Sequence, residues 1–282
     1  MRKKYLHYPL KIITLILSLS LSPASANSNS QKNILTFGIV PQQSPMQLAR
    51  NWLPVIKQLN ITTGLRIEFK TAKDIPTFEK RLANNEYDIA YMNPYHYVHF
   101  HSKNSYQAIA KEKKRKIQGI IVVRKDSVIK DIKDLHNQSL AFPAPAAFAA
   151  TLLPIASLKG QGIKVVPHYV SSHDSVYKSV AHGIYIAGGG INRTLNSLDR
   201  HEKDKLRVLW RTKKHTPHAI AVNGKMNLST QKLLQKAFVD ISTLPNEMNI
   251  LKLLNIKAFE KAKNNDWDDI RTLNIKILEE QY

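Results

Sequence analysis

The sequence predicts an α/β protein made of two lobes with a ligand cleft between them. Short apolar strands alternate with amphipathic helices from residue 34 onward, which is typical of an open sheet covered by helices. The same alternation begins again near Lys125, and a final segment after residue 212 adds one more strand and further helices. We therefore expect a first lobe from residues 27–120 and 213–282, and a second lobe from residues 121–212.

Residues 1–26 predict a cleavable signal peptide. Four cations precede or flank the apolar run from Ile12 to Leu21, and Ala24-Ser25-Ala26 supplies small residues for cleavage. The run is too short to favour the alternative of a retained membrane anchor. We expect a periplasmic protein, and the absence of cysteine excludes disulfides, thiol chemistry and lipid attachment through cysteine.

In the first lobe, the pattern predicts strands over residues 34–40, 65–69 and 87–91 and helices over 46–59 and 74–82. Two loops, Gln42–Ser44 and Asn93–His96, follow strands directly. Ligands in such sheets bind beyond the carboxyl ends of the strands. These loops are therefore candidate ligand sites.

Strands are expected over residues 106–110 and 117–124, on either side of the basic run Lys111–Lys116, and in the second lobe over residues 139–142 and 165–170. A helix follows the alanine-rich stretch that starts at Ala146 and ends near Leu158. Ser172 or Asp174 caps the next helix, which Gly183 ends. We expect a strand over Ile184–Ala187 and then a glycine-rich turn leading to Arg193.

The return segment carries a strand over residues 218–222 and helices starting near Ser229, Asn246 and Asp266. Its apolar residues indicate packing surfaces and it contains no site-like motif.

The charge is strongly positive, with 42 Lys and Arg against 21 Asp and Glu. Removal of the four cations of the signal peptide leaves 38, a net charge of about +17. This balance favours anionic partners, and export argues against nucleic acid. The densest basic run, Lys111–Lys116, is interpreted as a solvated loop or strand edge.

No pattern of catalytic residues is present: the sequence lacks HExxH, GxSxG and phosphate-loop motifs. His96, His99 and His101 have spacing that permits metal binding, but no carboxylate accompanies them, so we expect no metal and no cofactor.

The start of the helix after Ser172 presents unpaired N–H groups and a partial positive charge, which suit an anion. His173 lies there and Arg193 one strand later. The alternative is that His173 and Asp174 only cap the helix and that the glycines only permit tight packing. Arg193 either contacts ligand or pairs with Asp174.

Several segments follow one another along nearly the whole mature chain: FGIVPQQSP, YDIAYMNPYHYV, VVRKDS, DIKDL, LAFP, AAFAATLLP, SHDSVYKSVAHG and AGGGINRT. In these segments and their order the chain resembles the phosphate-, phosphite- and phosphonate-binding receptors (PhnD-like) of bacterial ABC importers. The resemblance implies a type II periplasmic-binding-protein fold, a small oxyanion bound between two lobes, a membrane permease as partner and no catalytic activity. We expect a monomer.

The loops, the helix starts and the resemblance together give the candidate ligand-contacting residues: Gln43, Ser44, Tyr91, Asn93, Tyr95, His96, Tyr97, Ala146, Ala147, Phe148, His173, Asp174 and Arg193.

The chain departs from the family pattern at several of these positions. Alanines at 146, 147 and 149 replace the hydroxyls usual at that helix start, Asn93 replaces a glycine, and a carboxylate common in the family is missing near Tyr185. The helix at Ala146 is therefore expected to bind an anion through backbone N–H groups alone.

Alternative functions are a periplasmic sensor that signals to a membrane histidine kinase and, less favoured, an exported enzyme.

Cleavage after Ala26 is the first testable prediction. Intact-mass measurement of periplasmic material is expected to show a mature protein that begins at Asn27, because Ala24 and Ala26 meet the requirement of signal peptidase for small residues. A protein that retains Met1–Ala26 would show that the segment is an anchor.

Overall fold

The structure is a computed structural model that describes residues 1, 3–5, 34–243 and 248–281. The apolar run and the predicted cleavage site lie outside the described residues. The chain divides into a unit of residues 1–31 and a compact unit of residues 32–282, which contains both sheets. No helix within the described ranges has the length and apolar character needed to span a membrane.

Within the described residues, eleven strands form two sheets. In chain order they are β1 (Ile34–Ile39), β2 (Arg66–Lys70), β3 (Ile89–Met92), β4 (Gln107–Glu112), β5 (Ile117–Arg124), β6 (Ser139–Phe142), β7 (Val166–Tyr169), β8 (Ala187–Ile191), β9 (Leu206–His215), β10 (Ala219–Val222) and β11 (Phe259–Lys261).

The first sheet has the strand order β11-β4-β10-β3-β1-β2, and the second has the order β7-β6-β8-β5-β9. In each sheet three strands pair in parallel, β2-β1-β3 and β7-β6-β8, and the others join antiparallel. The chain passes from the first sheet to the second between Glu112 and Ile117 and returns between His215 and Ala219. We call residues 113–116 and 216–218 the crossing segments.

Ten α-helices occur in the described ranges. They are α1 (Pro45–Thr63), α2 (Ile75–Ala83), α3 (Pro94–Asn104), α4 (Leu153–Gly160), α5 (His173–Ala181), α6 (Asn192–Asn196), α7 (Arg200–Lys203), α8 (Leu228–Asp240), α9 (Met248–Leu253) and α10 (Asp268–Arg271). A π-helical turn, Phe148–Leu152, runs directly into α4.

Both faces of the second sheet are buried, and alternation along β5 shows why. Ile120 and Val122 pack in one apolar cluster with Val176 and Val180 of α5, whereas Ile121 and Val123 pack in another with Leu158 of α4. Side chains of a strand alternate between its faces, so one strand serves two cores. The resulting arrangement is the predicted α/β fold with two sheets.

The three consecutive glycines belong to a strand. The expected strand over Ile184–Ala187 is wrong, because Ile184 is 71% exposed and β8 instead begins at Ala187 and contains all three glycines. A Cβ at Gly189 would lie 2.0 Å from the Ala150 carbonyl oxygen, and one at Gly188 would lie 2.5 Å from Val176. The glycines therefore permit close packing on both faces of β8, as the alternative interpretation held.

Strand β7 forms an exposed margin of the second sheet. All four of its residues are exposed, and Pro167 lies in its middle. The amides of Val166 and Val170 donate inward to Gln138 and Phe142. Successive residues of a strand alternate in the direction of their backbone groups. The backbone nitrogen of Pro167 therefore points away from β6, toward the open edge of the sheet.

Gly189→Ala tests the packing role of β8. The added methyl group overlaps the Ala150 carbonyl and the Phe142 ring, so we expect a loss of about 3 kcal/mol in the free energy of unfolding and of roughly 6–12 °C in melting temperature. Gly160→Ala is the matched control, since a Cβ there meets nothing within 4 Å. Equal melting temperatures for the two variants would contradict the packing role.

Candidate ligand-binding site

Loops that follow the parallel strands of both sheets meet at one contact. Three helices begin there with a capped N-terminus: the side chains of Ser44, Asn93 and Ser172 accept hydrogen bonds from the amides of Gln47, His96 and Ser175 at 3.3, 2.8 and 3.1 Å. Ser172, not Asp174, is thus the N-cap of α5, and Gly183 follows that helix in the left-handed conformation, as expected.

Hydrogen bonds join loops that follow strands of the first sheet to loops of the second. The Asn93 side-chain amide donates to the Ala146 carbonyl (3.1 Å), the His173 amide donates to the Gln42 carbonyl (3.0 Å), and the Ser44 amide donates to the Asp174 carboxylate (3.3 Å). Ala146, Ala147 and Phe148 are buried in the same apolar cluster as residues of the first sheet. The two lobes are therefore closed on each other.

His173 is buried inside this contact. Its Nδ1 lies 3.1 Å from the Thr194 hydroxyl, which also lies 2.8 Å from the Tyr177 hydroxyl. Burial lowers the pKa of His173 to about 3, so the imidazole is neutral at pH 7 and can act toward an anion only as a neutral hydrogen-bond donor.

Arg193, in the first turn of α6, extends from the second lobe to the first. Its guanidinium donates to the Tyr91 hydroxyl and to the Glu112 carboxylate. The expected alternative, a pair with Asp174, is wrong. Burial opposes the positive charge, but Tyr91 and Glu112 outweigh this effect and raise the pKa of Arg193.

Buried polar atoms at this contact remain without a hydrogen-bond partner among the described residues: Arg193 Nε, Asp174 Oδ1, Glu112 Oε1 and His218 Nδ1. Burial also raises the pKa of Asp174. Unsatisfied buried polar atoms are costly, so they indicate a place where the lobe contact is adapted to something besides packing.

Arg193 lines two cavities. The inner one has a volume of only about 20 Å³, room for one water molecule, and is lined by Gln42, Gln43, Tyr91, Thr194 and others. The larger one, about 420 Å³, lies at the crossing segments, and we call it the hinge cavity.

Ten of the thirteen predicted residues lie at the contact between the lobes: Gln43, Ser44, Tyr91, Asn93, Ala146, Ala147, Phe148, His173, Asp174 and Arg193. The structure does not bring the side chains of the other three to it.

Tyr95, His96 and Tyr97 use their polar atoms within the first lobe. The Tyr95 hydroxyl accepts from the Leu278 amide (2.9 Å), His96 Nε2 lies 2.8 Å from Glu79, and the Tyr97 hydroxyl donates to Asn264 (3.1 Å). Consecutive helical side chains point about 100° apart, and these three pack into the lobe around α3.

The alanine-rich helix start also differs from expectation. The helical turn begins at Phe148 and not at Ala146, and the Ala147 amide, expected as a free donor for an anion, donates to the Ala144 carbonyl at 3.2 Å. The Ala146 carbonyl accepts from Asn93. Ala146 and Ala147 therefore pack in the contact between the lobes.

Sequence reasoning missed Glu112, Thr194 and His218. His218 is buried, stacks on Tyr91 with ring centroids 4.8 Å apart and lies 3.1 Å from the Gln42 amide nitrogen. A signal existed for Glu112, the one acid inside the basic run, because an acid there can neutralise a buried cation.

Two facing α/β lobes with helix starts and a buried arginine at their contact define a solute-binding protein of the type II periplasmic-binding-protein fold. The chain belongs to the family described as the periplasmic substrate-binding protein of phosphonate ABC transporters, whose family model matches residues 37–267.

Individual relatives agree with this assignment. The phosphate-import protein PhnD of Mycolicibacterium smegmatis is 20% identical over 262 residues, which cover 85% of this chain and 78% of that protein. The binding protein of a phosphonate ABC transporter from Pseudomonas aeruginosa is similar with a TM-score of 0.80 and 16% identity, covering 86% of both chains. PhnD1 from Prochlorococcus marinus, solved with methylphosphonate, has a TM-score of 0.77 and 19% identity, covering 86% of this chain and 98% of that one.

The buried neutral His173 predicts a pH dependence of stability. Its pKa is about 3 in the folded protein and about 6.5 in an unfolded chain, so the unfolded state binds the extra proton between these values. Stability is thus lost as the pH falls from about 6.5 toward 3, with a slope from this residue of up to about 1.4 kcal/mol per pH unit.

His173→Gln removes the one proton-binding group responsible for this contribution, so the slope of unfolding free energy against pH should fall by up to about 1.4 kcal/mol per pH unit. Urea unfolding at several pH values between 7 and 4.5 measures the slope. His201→Gln, at an exposed position, is the control and should leave the slope unchanged. An unaltered slope in the His173 variant would show that the imidazole becomes protonated without unfolding.

Proposed function

We propose that this protein is an exported receptor that captures a small phosphorus oxyanion, a phosphonate or phosphate, between its lobes and delivers it to the permease of an ABC importer. The receptor acts as a monomer in the periplasm and catalyses no reaction. Family membership supports the transport role, and the observation that carries the ligand class is the environment of Arg193.

Arg193 combines three properties that suit an oxyanion site. It is positively charged, it lies between the lobes, and its Nε–H has no hydrogen-bond partner among the described residues. A guanidinium binds planar or tetrahedral oxyanions through two parallel N–H groups. In the closed arrangement the Glu112 carboxylate accepts one such bond, and an entering oxyanion takes the place of that carboxylate with a group that is also negatively charged.

The neighbouring groups complete the proposed site. Tyr91, bonded to Arg193, and the buried neutral His173 supply uncharged hydrogen-bond donors, which can bond an oxyanion whatever its charge. The inner cavity is too small for a phosphonate, so entry requires the lobes to separate at the crossing segments. Binding then competes with the hydrogen bonds that join the lobes, including those from Arg193 to Tyr91 and Glu112.

A thermal-shift panel of phosphate, phosphite, sulfate, methylphosphonate and aminoalkylphosphonates tests this function. A ligand at a hundred times its dissociation constant adds about 2.7 kcal/mol, which corresponds to a rise of roughly 5–11 °C in melting temperature for a chain of this size. Arg193→Lys keeps the charge that Glu112 needs but loses the second parallel donor, so it should lose more than half of the shift.

Arg50→Lys, at an exposed position of α1, is the matched control and should keep the full shift. If Arg193→Lys also keeps it, Arg193 does not bind the anion. If no phosphorus oxyanion shifts the parent protein, the proposed ligand class is wrong.

A further inference from the structure

Lysine and arginine side chains from both crossing regions converge on the hinge cavity. Lys114, Arg115 and Lys116 come from the first crossing segment, and Lys214 comes from the end of β9. Pairing of β5 with β9 places Ile117 opposite His215 and Gln118 opposite Lys214. The pairing of these strands therefore brings cations about a hundred positions apart in sequence to one concave surface.

The charge of this surface is not neutralised by the residues that the structure describes. With Arg193, five cationic side chains line the cavity against one carboxylate, Glu112. That carboxylate already accepts from Arg193 and lies 3.5 Å from Arg115. Lys116 donates to the neutral Thr216 hydroxyl (3.0 Å), and Lys114 and Lys214 form no ion pair with any described residue.

The size and shape of the cavity suit a small molecule. Its volume of about 420 Å³ lies within the range of ordinary ligand pockets. A concave surface lined by charges of one sign concentrates the electric field and attracts counter-ions. Because Arg193 lines both this cavity and the inner one, one ligand can contact Arg193 with one end and the lysines with the other.

We propose that the hinge cavity is a second anion subsite, which takes the outer anionic group of a ligand that carries two, such as a phosphonate with a further carboxylate or phosphonate. The inner group of that ligand binds at Arg193, so this part of the inference rests on the proposed function. The outer group lies among Lys114, Arg115, Lys116 and Lys214.

The subsite also couples binding to lobe movement. Lys114 and Lys116 belong to one connection between the sheets, and Lys214 precedes the other. An anion bound between them removes the repulsion across the two connections and holds them at one separation. A ligand with two anionic groups is thus selected both by charge and by the lobe angle that it stabilises.

The variant Lys114→Gln/Lys214→Gln tests the subsite. Both side chains are exposed, and glutamine keeps their length without the charge. Calorimetric affinities for methylphosphonate, methylenediphosphonate and malonate are measured in 0.15 M salt, where distant charges are screened beyond about 8 Å. We expect the variant to weaken methylenediphosphonate by about tenfold and methylphosphonate by no more than about twofold.

Lys159→Gln/Lys232→Gln removes the same charge from exposed helical positions outside the cavity and should leave the affinities for all three probes unchanged. Equal weakening of both phosphonates by the hinge variant, or a loss of the same size in the control variant, would overturn the subsite.

The probes also separate the two proposals. If the parent protein binds malonate or methylenediphosphonate but not methylphosphonate, and the hinge variant abolishes that binding, the hinge subsite stands and the single-oxyanion function fails. If methylphosphonate binds but the second anionic group adds no affinity, only the subsite fails. If none of the probes binds, both are wrong.

Discussion

The close approach of helices to both faces of β8 is the constraint on which the binding region depends. A Cβ at Gly188 or Gly190 would overlap Val176 or the Tyr177 hydroxyl of α5, and a Cβ at Gly189 would overlap the carbonyl of Ala150 on the opposite face. Because the glycines carry no side chains, the starts of α5 and of the π-helical turn that precedes α4 reach the same end of the sheet. The Tyr177 hydroxyl can then bond both the amide and the carbonyl of Ile191, which fixes the backbone two residues before Arg193. A packing requirement of the core thereby sets the position of the charged group at the lobe contact.

The ion pair between Arg193 and Glu112 makes the lobe contact conditional on charge. Removing two charges from water is costly, and the pair is stable only while each has its partner. The Arg193 side chain is 17% exposed and that of Glu112 4%, so each charge depends on an opposite charge nearby. In the proposed function an anion takes the place of Glu112 at Arg193, which a neutral solute cannot do, and Arg115, 3.5 Å from Glu112, remains beside that carboxylate.

Most of the fold could be predicted from the sequence because apolar periodicity and capping residues are local signals. Ser172 and Gly183 identified the ends of α5 in this way. Glycines have no periodicity, so the strand β8 was expected as a turn. The orientation of side chains around α3, which takes Tyr95, His96 and Tyr97 away from the site, depends on tertiary packing. Lys114 and Lys214 meet only through strand pairing across the crossing, and no local pattern encodes that pairing.

The proline in β7 has a consequence for how this protein behaves among its own copies. An exposed sheet margin offers its unpaired backbone N–H and C=O groups to any extended chain nearby. Position 167 faces outward along this margin, where proline has no N–H to donate. An incoming strand can therefore accept hydrogen bonds only from the amides on either side of Pro167, where one N–H is missing. Tyr169 and Val166 leave apolar surface exposed there, yet a continuous ladder cannot form on it. The proline thus protects this margin against strand addition and aggregation.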